Sequence, residues 1–462
     1  MSNVVERLKP TSLPLSAGII AARLDRMPFS RWHLQTRLLV GTATFFDAFD
    51  ALGLAQILPV LVPLWKMSGT QVGLLISMGY VGQLLGAVMF GFLAEKWGRV
   101  PVLMMAITVF SVMSALCSIS WDYQSLLIFR TLQGVGLGGE VPIAAVYISE
   151  LAKAKGRGRF VLLYETIFSV GVVIASLIGA IVVPTLGWEY MFYIGAVPIF
   201  LVLLVWKFVP ESPRWLANHG RLQEADRVVA EIERSAERTT GRALPEPAPA
   251  QEISGLLGRM SWQDIVGPRY IRRSIVVWTV WFSCYLVYYS LATWLPTLYR
   301  TLFNVQLDLS LRYGLIANCA ILAGSLCCAF TIDIVGRKTV FVVSLLGAAF
   351  CLFSLWFLGA TTVTQVVVFG SIACFFAASS ALGVYVYTPE LYPTRSRAIA
   401  TSLGTAWLRF ASMLGPLIVG MFVHDGIQTV FLLFGIVSVI GAVVVATLGI
   451  ETKGKTLEEI AK

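Results

Sequence analysis

The chain has 462 residues, of which 57% are hydrophobic and 13% are charged, and its formal net charge is +9. Soluble globular domains average about 25% charged residues, so this composition excludes a soluble protein and indicates a polytopic membrane protein. The basic excess does not indicate a nucleic-acid partner, because the positive residues concentrate in the tails and loops on one side of the apolar segments.

Twelve runs of about 20 apolar residues, the length that crosses a bilayer as an α-helix, follow one another along the chain. They lie at 37–64, 71–94, 101–119, 124–149, 159–183, 190–209, 273–299, 311–334, 339–357, 364–389, 396–422 and 428–449. The apolar run before the first span, at 17–22, is too short for the core of a cleavable signal peptide. We therefore predict an all-α membrane protein with twelve transmembrane helices.

The polar segments divide these spans into two groups of six. The predicted parts are an N-terminal tail at 1–36, a six-helix bundle at 37–209, a linker at 210–272, a second six-helix bundle at 273–449 and a C-terminal tail at 450–462. Within the linker, apolar residues recur at helical spacing from Leu222 to Ile232, which indicates a short amphipathic helix.

The placement of Lys and Arg predicts the orientation in the membrane. Apart from Arg130 and Arg409, which fall inside spans, three basic residues lie on the side away from the termini: Lys66, Arg300 and Arg312. The other 30 lie on the side of the tails, so the positive-inside rule predicts cytoplasmic termini in a plasma (inner) membrane. We expect a monomer whose partners are the bilayer and small solutes.

The two halves repeat short sequence patterns. FLAEKWGRVPV, which begins at Phe92, returns as TIDIVGRKTV, so that Glu95 corresponds to Asp333 and Arg99 to Arg337. VYISEL in the fourth span likewise returns as VYTPEL in the tenth. Two six-helix halves in the same orientation are what a parallel internal repeat produces, so we predict two pseudo-symmetric bundles.

These repeated loops resemble the signatures of the major facilitator superfamily. FRTLQGVGLGGE in the fourth span, PESPRWL at 210–216 and ETKGKTLEEI near the end extend the resemblance over essentially the whole chain. The resemblance implies a secondary transporter that works by alternating access, and neither an enzyme nor a cofactor-dependent protein. DAFD at 47–50 and GLGGEVPIAAVYISE at 136–150 are most similar to the branch with niacin permeases, aromatic-acid/proton symporters, organic-ion transporters and synaptic vesicle glycoprotein 2.

The eleventh span carries Arg409 near its middle. A buried arginine costs at least ~2.5 kcal/mol on insertion scales, so it is expected to face a cavity or an anionic partner. In anion-handling relatives within the branch that this chain resembles, the arginine of the eleventh span is the usual partner of the substrate carboxylate, and Arg409 matches it. We expect a substrate site formed by Arg409, Tyr285, Tyr288, Tyr289, Gln133, Phe49 and Ser412.

Acidic residues inside the spans are candidates for proton coupling. Asp47 and Asp50 lie three residues apart, so their carboxylates share a helix face, which suits a proton carrier. The alternative is that one of the aspartates pairs permanently with Arg130. Glu140 and Glu165 complete the predicted coupling set, although Glu165 could equally belong to the inner gate.

Carboxylates and arginines also recur where spans meet the cytoplasm, and we predict that they form an inner gate. We expect Glu211 to pair with Arg214, Glu150 with Arg157 or Arg159, and Glu390 with Arg395 or Arg397. The predicted gate residues are Glu95, Arg99, Glu150, Arg157, Glu211, Arg214, Asp333, Arg337, Glu390, Arg395 and Arg397. The alternative is that these residues cap helices and set topology.

The sequence therefore predicts proton-coupled import of a small aromatic or heteroaromatic monocarboxylate, such as nicotinate or benzoate. An organic cation or zwitterion carrier, a sugar transporter and a transport-dead sensor are the alternatives; the seventh span lacks the glutamine pair of sugar porters. GIETKGKT near the end matches a phosphate-loop pattern, but it follows a membrane helix instead of a strand and predicts no ATP site. The cysteine and histidine spacings predict no metal site.

Overall fold

The computed structural model describes residues 15–28, 30–151, 157–247, 265–392 and 394–453, with the side chains of 157–165, 394, 395, 398, 424 and 425 left out. Within these ranges the chain is helical and contains no strand. The predicted all-α class is confirmed.

The helices follow the predicted spans closely. They are α1 (Ala17–Asp25), α2 (Arg31–Leu64), α3 (Gly69–Trp97), α4 (Arg99–Ser118), α5 (Tyr123–Leu151), α6 (Arg157–Thr185), α7 (Glu189–Ala196), α8 (Ile199–Phe208), α9 (Pro213–Asn218), α10 (Leu222–Thr240), α11 (Ile271–Phe303), α12 (Leu307–Val335), α13 (Arg337–Phe357), α14 (Val363–Leu391) and α15 (Thr394–Leu448). Helix α15 covers the last two spans and bends at Gly426, whose φ is 130°. With α7 and α8 as one interrupted span, the described chain contains the twelve predicted membrane-length segments.

Sequence signals set several of these boundaries. Ser68 begins α3 and Thr362 begins α14, each in a capping box with a glutamine three residues later. The sixth span breaks between α7 and α8 at Pro198, because proline has no N–H for the helical hydrogen bond. Eleven of the described segments are long and apolar enough to span a membrane. Helix α5 is as long as these segments, but it carries Arg130 and Glu140 and is not among the eleven.

Helix packing divides the spans into two groups that meet in the middle. In the first group α3 and α4 pack on α5, and α2 packs on α6; in the second α11 and α13 pack on α15, and α12 and α13 pack on α14. Helix pairs α3–α15, α6–α12 and α2–α11 join the groups. The interior shared by the two groups therefore lies where these three pairs meet.

The two groups are pressed together at the end of the bundle opposite the termini, which we call the distal end. A Cβ atom added at Gly73 of α3 would lie 2.8 Å from the carbonyl oxygen of Pro416 of α15, so the two backbones nearly touch. One turn further into the bundle, the Ser77 hydroxyl donates to the carbonyl oxygen of Met413 at 2.6 Å. The distal end is therefore closed.

The opposite, proximal end carries a small helical layer formed by α1, α9 and α10. The predicted amphipathic helix is confirmed as α10, which buries Ala225, Val229 and Ile232. Helix α1, which the sequence did not predict, packs on α9 and α10, and Arg23 contacts Glu233 of α10 at 2.6 Å. The layer therefore fixes the start of α2 to the linker.

Candidate functional site

A cavity of about 60 Å³ lies at the junction of the two groups of helices. Its wall combines two charged side chains, hydroxyls, an amide and four tyrosines. These residues are Thr44, Asp47, Gln83, Tyr285, Tyr288, Tyr289, Tyr385 and Arg409. A cavity that mixes aromatic rings with a few convergent polar groups is typical of a small-molecule site.

Arg409 is half-buried and lies in this wall, as the sequence predicts for its location. Its guanidinium donates a hydrogen bond across the junction to the side-chain oxygen of Gln83 on α3. Gln83 is 4% exposed, and its amide is electrically neutral. Asp47 lies in the same wall and interacts electrostatically with Arg409. The hydrogen-bonded partner that the structure gives Arg409 is therefore a neutral amide.

The three predicted tyrosines of α11 form one side of the cavity. The rings of Tyr285 and Tyr289 stack with centroids 5.7 Å apart, and the Trp281 ring stacks on Tyr285 at 5.6 Å. Tyr80 of α3 contacts Tyr289 across the junction at 5.1 Å. Because ring faces and edges attract other rings, this wall favours a flat aromatic solute beside the guanidinium of Arg409.

The two aspartates of α2 have different surroundings despite their spacing. Asp47 lines the cavity with Arg409, whereas Asp50 lies deeper and its carboxylate accepts a hydrogen bond from Ser114 at 3.3 Å. Arg130 donates to the backbone oxygen of Asp50 at 3.2 Å, and both aspartates are at most 4% exposed. The two aspartates therefore lie near different arginines. Arg130 reaches Asp50 through its backbone oxygen, and among the described residues no ion pair joins Arg130 to either carboxylate, so the alternative of a permanent aspartate–Arg130 pair stays a prediction.

The predicted glutamates differ in what can be said of them. Glu140 is fully buried, and its carboxylate accepts a hydrogen bond from Thr44 at 3.1 Å. Because Thr44 lines the cavity, one hydroxyl connects Glu140 to the cavity wall. Glu165 belongs to α6, but its side chain lies outside the described part of the structure.

Three residues predicted to bind substrate lie away from the cavity wall. Phe49 is buried in the apolar core next to Phe46, with ring centroids 6.2 Å apart. Ser412 donates to the backbone oxygen of Leu408 at 2.8 Å. Gln133 accepts from Arg130 at 2.7 Å and so belongs to the deeper cluster around Asp50.

At the proximal end, the predicted gate charges of the first half form one compact cluster. Arg99 contacts Glu95 at 2.9 Å and Glu150 at 3.1 Å. Glu211 accepts hydrogen bonds from the backbone N–H groups of Arg99 and Val100, at 3.0 and 3.1 Å. Burial raises the pKa of Glu211, and these N–H groups partly offset that effect. A carboxylate on a helix N-terminus also stabilises the helix dipole.

The second half reproduces this cluster. Arg337 contacts Asp333 at 2.8 Å and Glu390 at 2.9 Å, and Glu451 accepts from the N–H groups of Arg337 and Lys338 at 2.9 and 3.0 Å. The turns are also equivalent, because the glycine before each arginine has φ near +105° and faces the capping carboxylate. A side chain at either glycine would be strained and would strike that carboxylate.

These clusters change part of the predicted gate pairing. The predicted pair Glu211–Arg214 is wrong, because Glu211 caps α4 while Arg214 contacts Asp25 of α1 at 2.7 Å. Glu150 forms its ion pair with Arg99, and Glu390 forms its ion pair with Arg337, so each pair stays within one half. The side chains of Arg157, Arg159 and Arg395 lie outside the described residues, and Arg397 is half-buried on α15.

No metal centre is visible in the described part of the chain, where no three His, Cys, Asp or Glu residues group closely enough to hold an ion. Among the functional candidates, Gln83 was missed by the sequence analysis. Its signal in the sequence is a polar side chain within an apolar span, one turn from Gly79 and Gly86. That signal gives no indication of the contact with Arg409, which depends on packing between the halves.

Comparison with known proteins adds to this geometry. Residues 38–462 match the family described as "Sugar (and other) transporter". The niacin transporter NiaP of Acinetobacter baylyi is 35% identical and is covered over 99% of its length by 96% of this chain. Organic cation/carnitine transporter 7 of Arabidopsis thaliana is 27% identical, with 94% of this chain and 95% of that protein covered.

Among solved structures, the proton:xylose symporter XylE of E. coli, bound to 6-bromo-6-deoxy-D-glucose, has a similar fold. The TM-score is 0.65 at 23% identity, and the match covers 93% of this chain and 98% of that one. At this identity the likeness concerns the fold. The family match over residues 38–462 and the relative at 35% identity, together with the twelve-helix architecture, show that the chain belongs to the sugar (and other) transporter family of the major facilitator superfamily and is a multi-pass membrane transporter.

Proposed function

We propose that this transporter carries a small aromatic or heteroaromatic monocarboxylate, such as nicotinate, together with protons. The observation that carries the proposal is Arg409, a guanidinium in the cavity wall whose hydrogen bond goes to the neutral Gln83. Gln83 holds the guanidinium in place without neutralising it, and protonation of Asp47, which lies in the same wall, would leave Arg409 able to form an ion pair with a substrate carboxylate. Arginine suits this role because its planar fork binds carboxylates in a bidentate manner.

The aromatic wall supports a ring on the carboxylate. Tyr285, Tyr288 and Tyr289 line the cavity beside Arg409, so a solute held by its carboxylate would place its ring against tyrosine faces and edges. Such ring contacts are worth about 0.5–1.5 kcal/mol each beyond burial of area. The similarity to a protein named niacin transporter is consistent with this substrate class.

Charge counting supports proton coupling. Among the side chains that the structure describes, the interior holds three carboxyl groups, on Asp47, Asp50 and Glu140, against the guanidinium groups of Arg130 and Arg409. If all five were ionised, the substrate anion would raise an excess of one negative charge to two, and uncompensated buried charge is costly. Protons on one or two carboxyl groups remove that excess. Asp47 is the best-placed carrier, because it shares the cavity wall with Arg409.

Transport requires the halves to separate around this cavity. The cavity of about 60 Å³ is well below the roughly 300 Å³ of a typical ligand pocket, so the present arrangement is contracted. Opening on the distal side has to break the Ser77–Met413 and Gln83–Arg409 hydrogen bonds. The charge clusters at Arg99 and Arg337 join helices within one half, so each half moves as a unit.

We also propose that both termini face the cytoplasm in the plasma membrane, since the basic residues concentrate on the proximal side. The closed distal end is then the extracellular one, and the transporter acts as a monomer with one site between its halves. The five-part division at 36, 209, 272 and 449 is consistent with this arrangement. The proximal clusters then lie where an inner gate would open.

A second candidate is an organic cation carrier in which Asp47 is the counter-ion. Asp47 lies in the cavity wall, and tyrosine rings bind cations as well as aromatic solutes. The relative named organic cation/carnitine transporter 7 is consistent with this candidate. The shared cavity makes the two candidates opposite in charge preference, so a ligand series separates them.

Uptake into proteoliposomes tests the proposal. Radiolabelled nicotinate and benzoate, and an organic amine for the second candidate, are supplied with and without an inward proton gradient. We expect carboxylate uptake that the gradient stimulates, and its loss in Arg409→Ala but not in the control Arg312→Ala, whose exposed side chain lies near the distal end. No uptake of any carboxylate in either condition, or full nicotinate binding by Arg409→Ala, would refute the proposed substrate site.

A further inference from the structure

A groove of about 750 Å³ lies at the proximal end, where the first turn of α2 faces the last two turns of α10. It is separate from the central cavity and shares no lining residue with it. Three arginines line it, Arg31 from α2 and Arg234 and Arg238 from α10, together with Glu231. All four side chains are exposed, so the groove carries an excess of two positive charges that a ligand can reach.

Hydrogen bonds between α2 and α10 fix the two walls of the groove relative to each other. The backbone N–H of Arg31 donates to the Thr239 hydroxyl at 3.3 Å, and the N–H of Trp32 donates to the Ser235 hydroxyl at 3.2 Å. The buried face of α10 and the Arg23–Glu233 ion pair fix the same layer from the other side. The arginines therefore project from a preformed surface, and the first N–H groups of α2 already have partners.

The arginines of the groove lack the ion pairs that their neighbours have. Arg23 and Arg26 both contact Glu233, at 2.6 and 2.5 Å, whereas the described residues provide no ion pair for Arg31, Arg234 or Arg238. Arg234 and Arg238 are four residues apart on one helix, a spacing at which like charges repel. An external anion would remove that repulsion.

The apolar residues beside the groove indicate which anion fits. Leu34 lines the groove and is 46% exposed, and Leu38, one turn further along α2 toward the membrane core, is 61% exposed. A lipid headgroup bound in the groove would therefore lie next to an exposed apolar strip on the first transmembrane helix. Trp32, which also lines the groove, is a residue type enriched at the membrane–water interface.

We propose that this groove binds the headgroup of an anionic phospholipid from the leaflet at the proximal end. The phosphate lies among Arg31, Arg234 and Arg238, and the acyl chains run along Leu34 and Leu38. Basic pockets at the membrane surface are suited to anionic headgroups, and each arginine there adds roughly a factor of five in affinity, from about 1 kcal/mol. A bound lipid joins the linker helix α10 to the first transmembrane helix.

Native mass spectrometry of the full chain in a neutral detergent tests the proposal by titration with dioleoyl phosphatidylglycerol or dioleoyl phosphatidylcholine. The variant Arg234→Gln/Arg238→Gln is compared with the control Arg227→Gln/Arg242→Gln, which removes the same charge from exposed positions outside the groove. We expect the groove variant to bind phosphatidylglycerol about 30-fold more weakly, and the control variant to bind as the unmodified chain does.

Three results of these titrations would overturn the proposal, and so would a fourth result, from competition with phosphate. The first three are equal weakening in the two double variants, unchanged binding in both, and equal binding of phosphatidylcholine and phosphatidylglycerol. Free inorganic phosphate is added as a competitor; displacement of the lipid at equal concentration would assign the groove to soluble phosphate. Since the readout is lipid binding, a negative result leaves the proposed substrate unaffected, and a failed uptake experiment leaves the lipid site unaffected.

Discussion

Replacing Gln83 by glutamate places a carboxylate where the structure has a neutral amide. Gln83 accepts a hydrogen bond from Arg409 across the junction of the two halves and is 4% exposed. Glutamate keeps the length and the acceptor but adds a negative charge. The new carboxylate would therefore compete with the carboxylate of the proposed substrate for the same guanidinium.

The expected loss follows from the strength of that competing pair. Two unit charges 4 Å apart at an effective dielectric constant of about 20 interact by about 4 kcal/mol. Because Arg409 is half-buried, water in the cavity weakens the pair, and we expect about 2–4 kcal/mol. At 1.4 kcal/mol per factor of ten, nicotinate should bind Gln83→Glu roughly 30- to 700-fold more weakly.

Equilibrium binding of radiolabelled nicotinate at alkaline pH, where the introduced carboxyl group is ionised, measures this loss. The matched control is Gln83→Met, which keeps the length and removes the acceptor. A single hydrogen bond contributes about 1 kcal/mol, so the control should weaken binding by less than about tenfold. If Gln83→Glu binds nicotinate as tightly as Gln83→Met, Arg409 is not the carboxylate partner and the reasoning fails.

Three further predictions concern coupling, closure and pH. Asp47→Asn should retain nicotinate binding but abolish substrate-driven proton uptake, measured with a pH-sensitive dye in proteoliposomes; intact proton uptake would exclude Asp47 as the carrier. Gly73→Val should hinder distal closure, because its Cβ meets the Pro416 oxygen at 2.8 Å, and should increase labelling of a cysteine introduced in the distal half of the cavity; Gly91→Val, where the added Cβ meets nothing within 4 Å, is the control. Burial raises the pKa of Glu233, but hydrogen bonds from Arg23 and Arg26 at the end of α1 outweigh burial and leave that pKa below its usual value. The ion pairs therefore stabilise the docking of α1 above about pH 4.3, and this stabilisation is lost as the pH falls through the lowered pKa. Hydrogen exchange of α1 that does not respond to acid would contradict this.

The fold was largely predictable because length and hydropathy define a membrane helix. Departures occur where a local feature is weak or short. Helix α1 has nine residues and gains its stability from packing on α9 and α10, so the sequence around 17–25 gave little indication of it. Gly426 and Pro198 affect how spans bend or break, which span length alone does not indicate.

The charged and aromatic residues of the cavity wall were predictable, but their contacts were not. Arg409 stands out because a charge in a span is costly, and the tyrosines follow helical spacing. Spacing also places Asp47 and Asp50 on one face, yet which arginine each one meets depends on how α2 packs against α5 and α15. Gln83 carries no charge, and its partner is 326 residues away in the sequence.

Glu211 shows a signal that was present and missed. Its nearness to Arg214 in the sequence suggested an ion pair. However, Glu211 is followed by the hydroxyl residue Ser212, and the same pattern follows the last helix of the second half, at Glu451 and Thr452. Both acids cap the helix after the glycine turn, and both hydroxyls donate to the cluster glutamate, Ser212 to Glu150 and Thr452 to Glu390. Extending the repeat beyond the last helix of each half would have predicted this cap.

The repeated caps place the boundary of the duplicated unit outside the membrane. Each unit consists of six helices and the acid–hydroxyl pair that follows them, so the beginning of the linker and the segment after the last helix are the same structural part used twice. A tag that replaces the residues after 449 would therefore remove the Glu451–Thr452 pair, which belongs to the second repeated unit, and not merely a dispensable tail. Split or circularly permuted versions of this transporter should keep each pair with its own helices, with junctions placed after Ser212 or after Thr452.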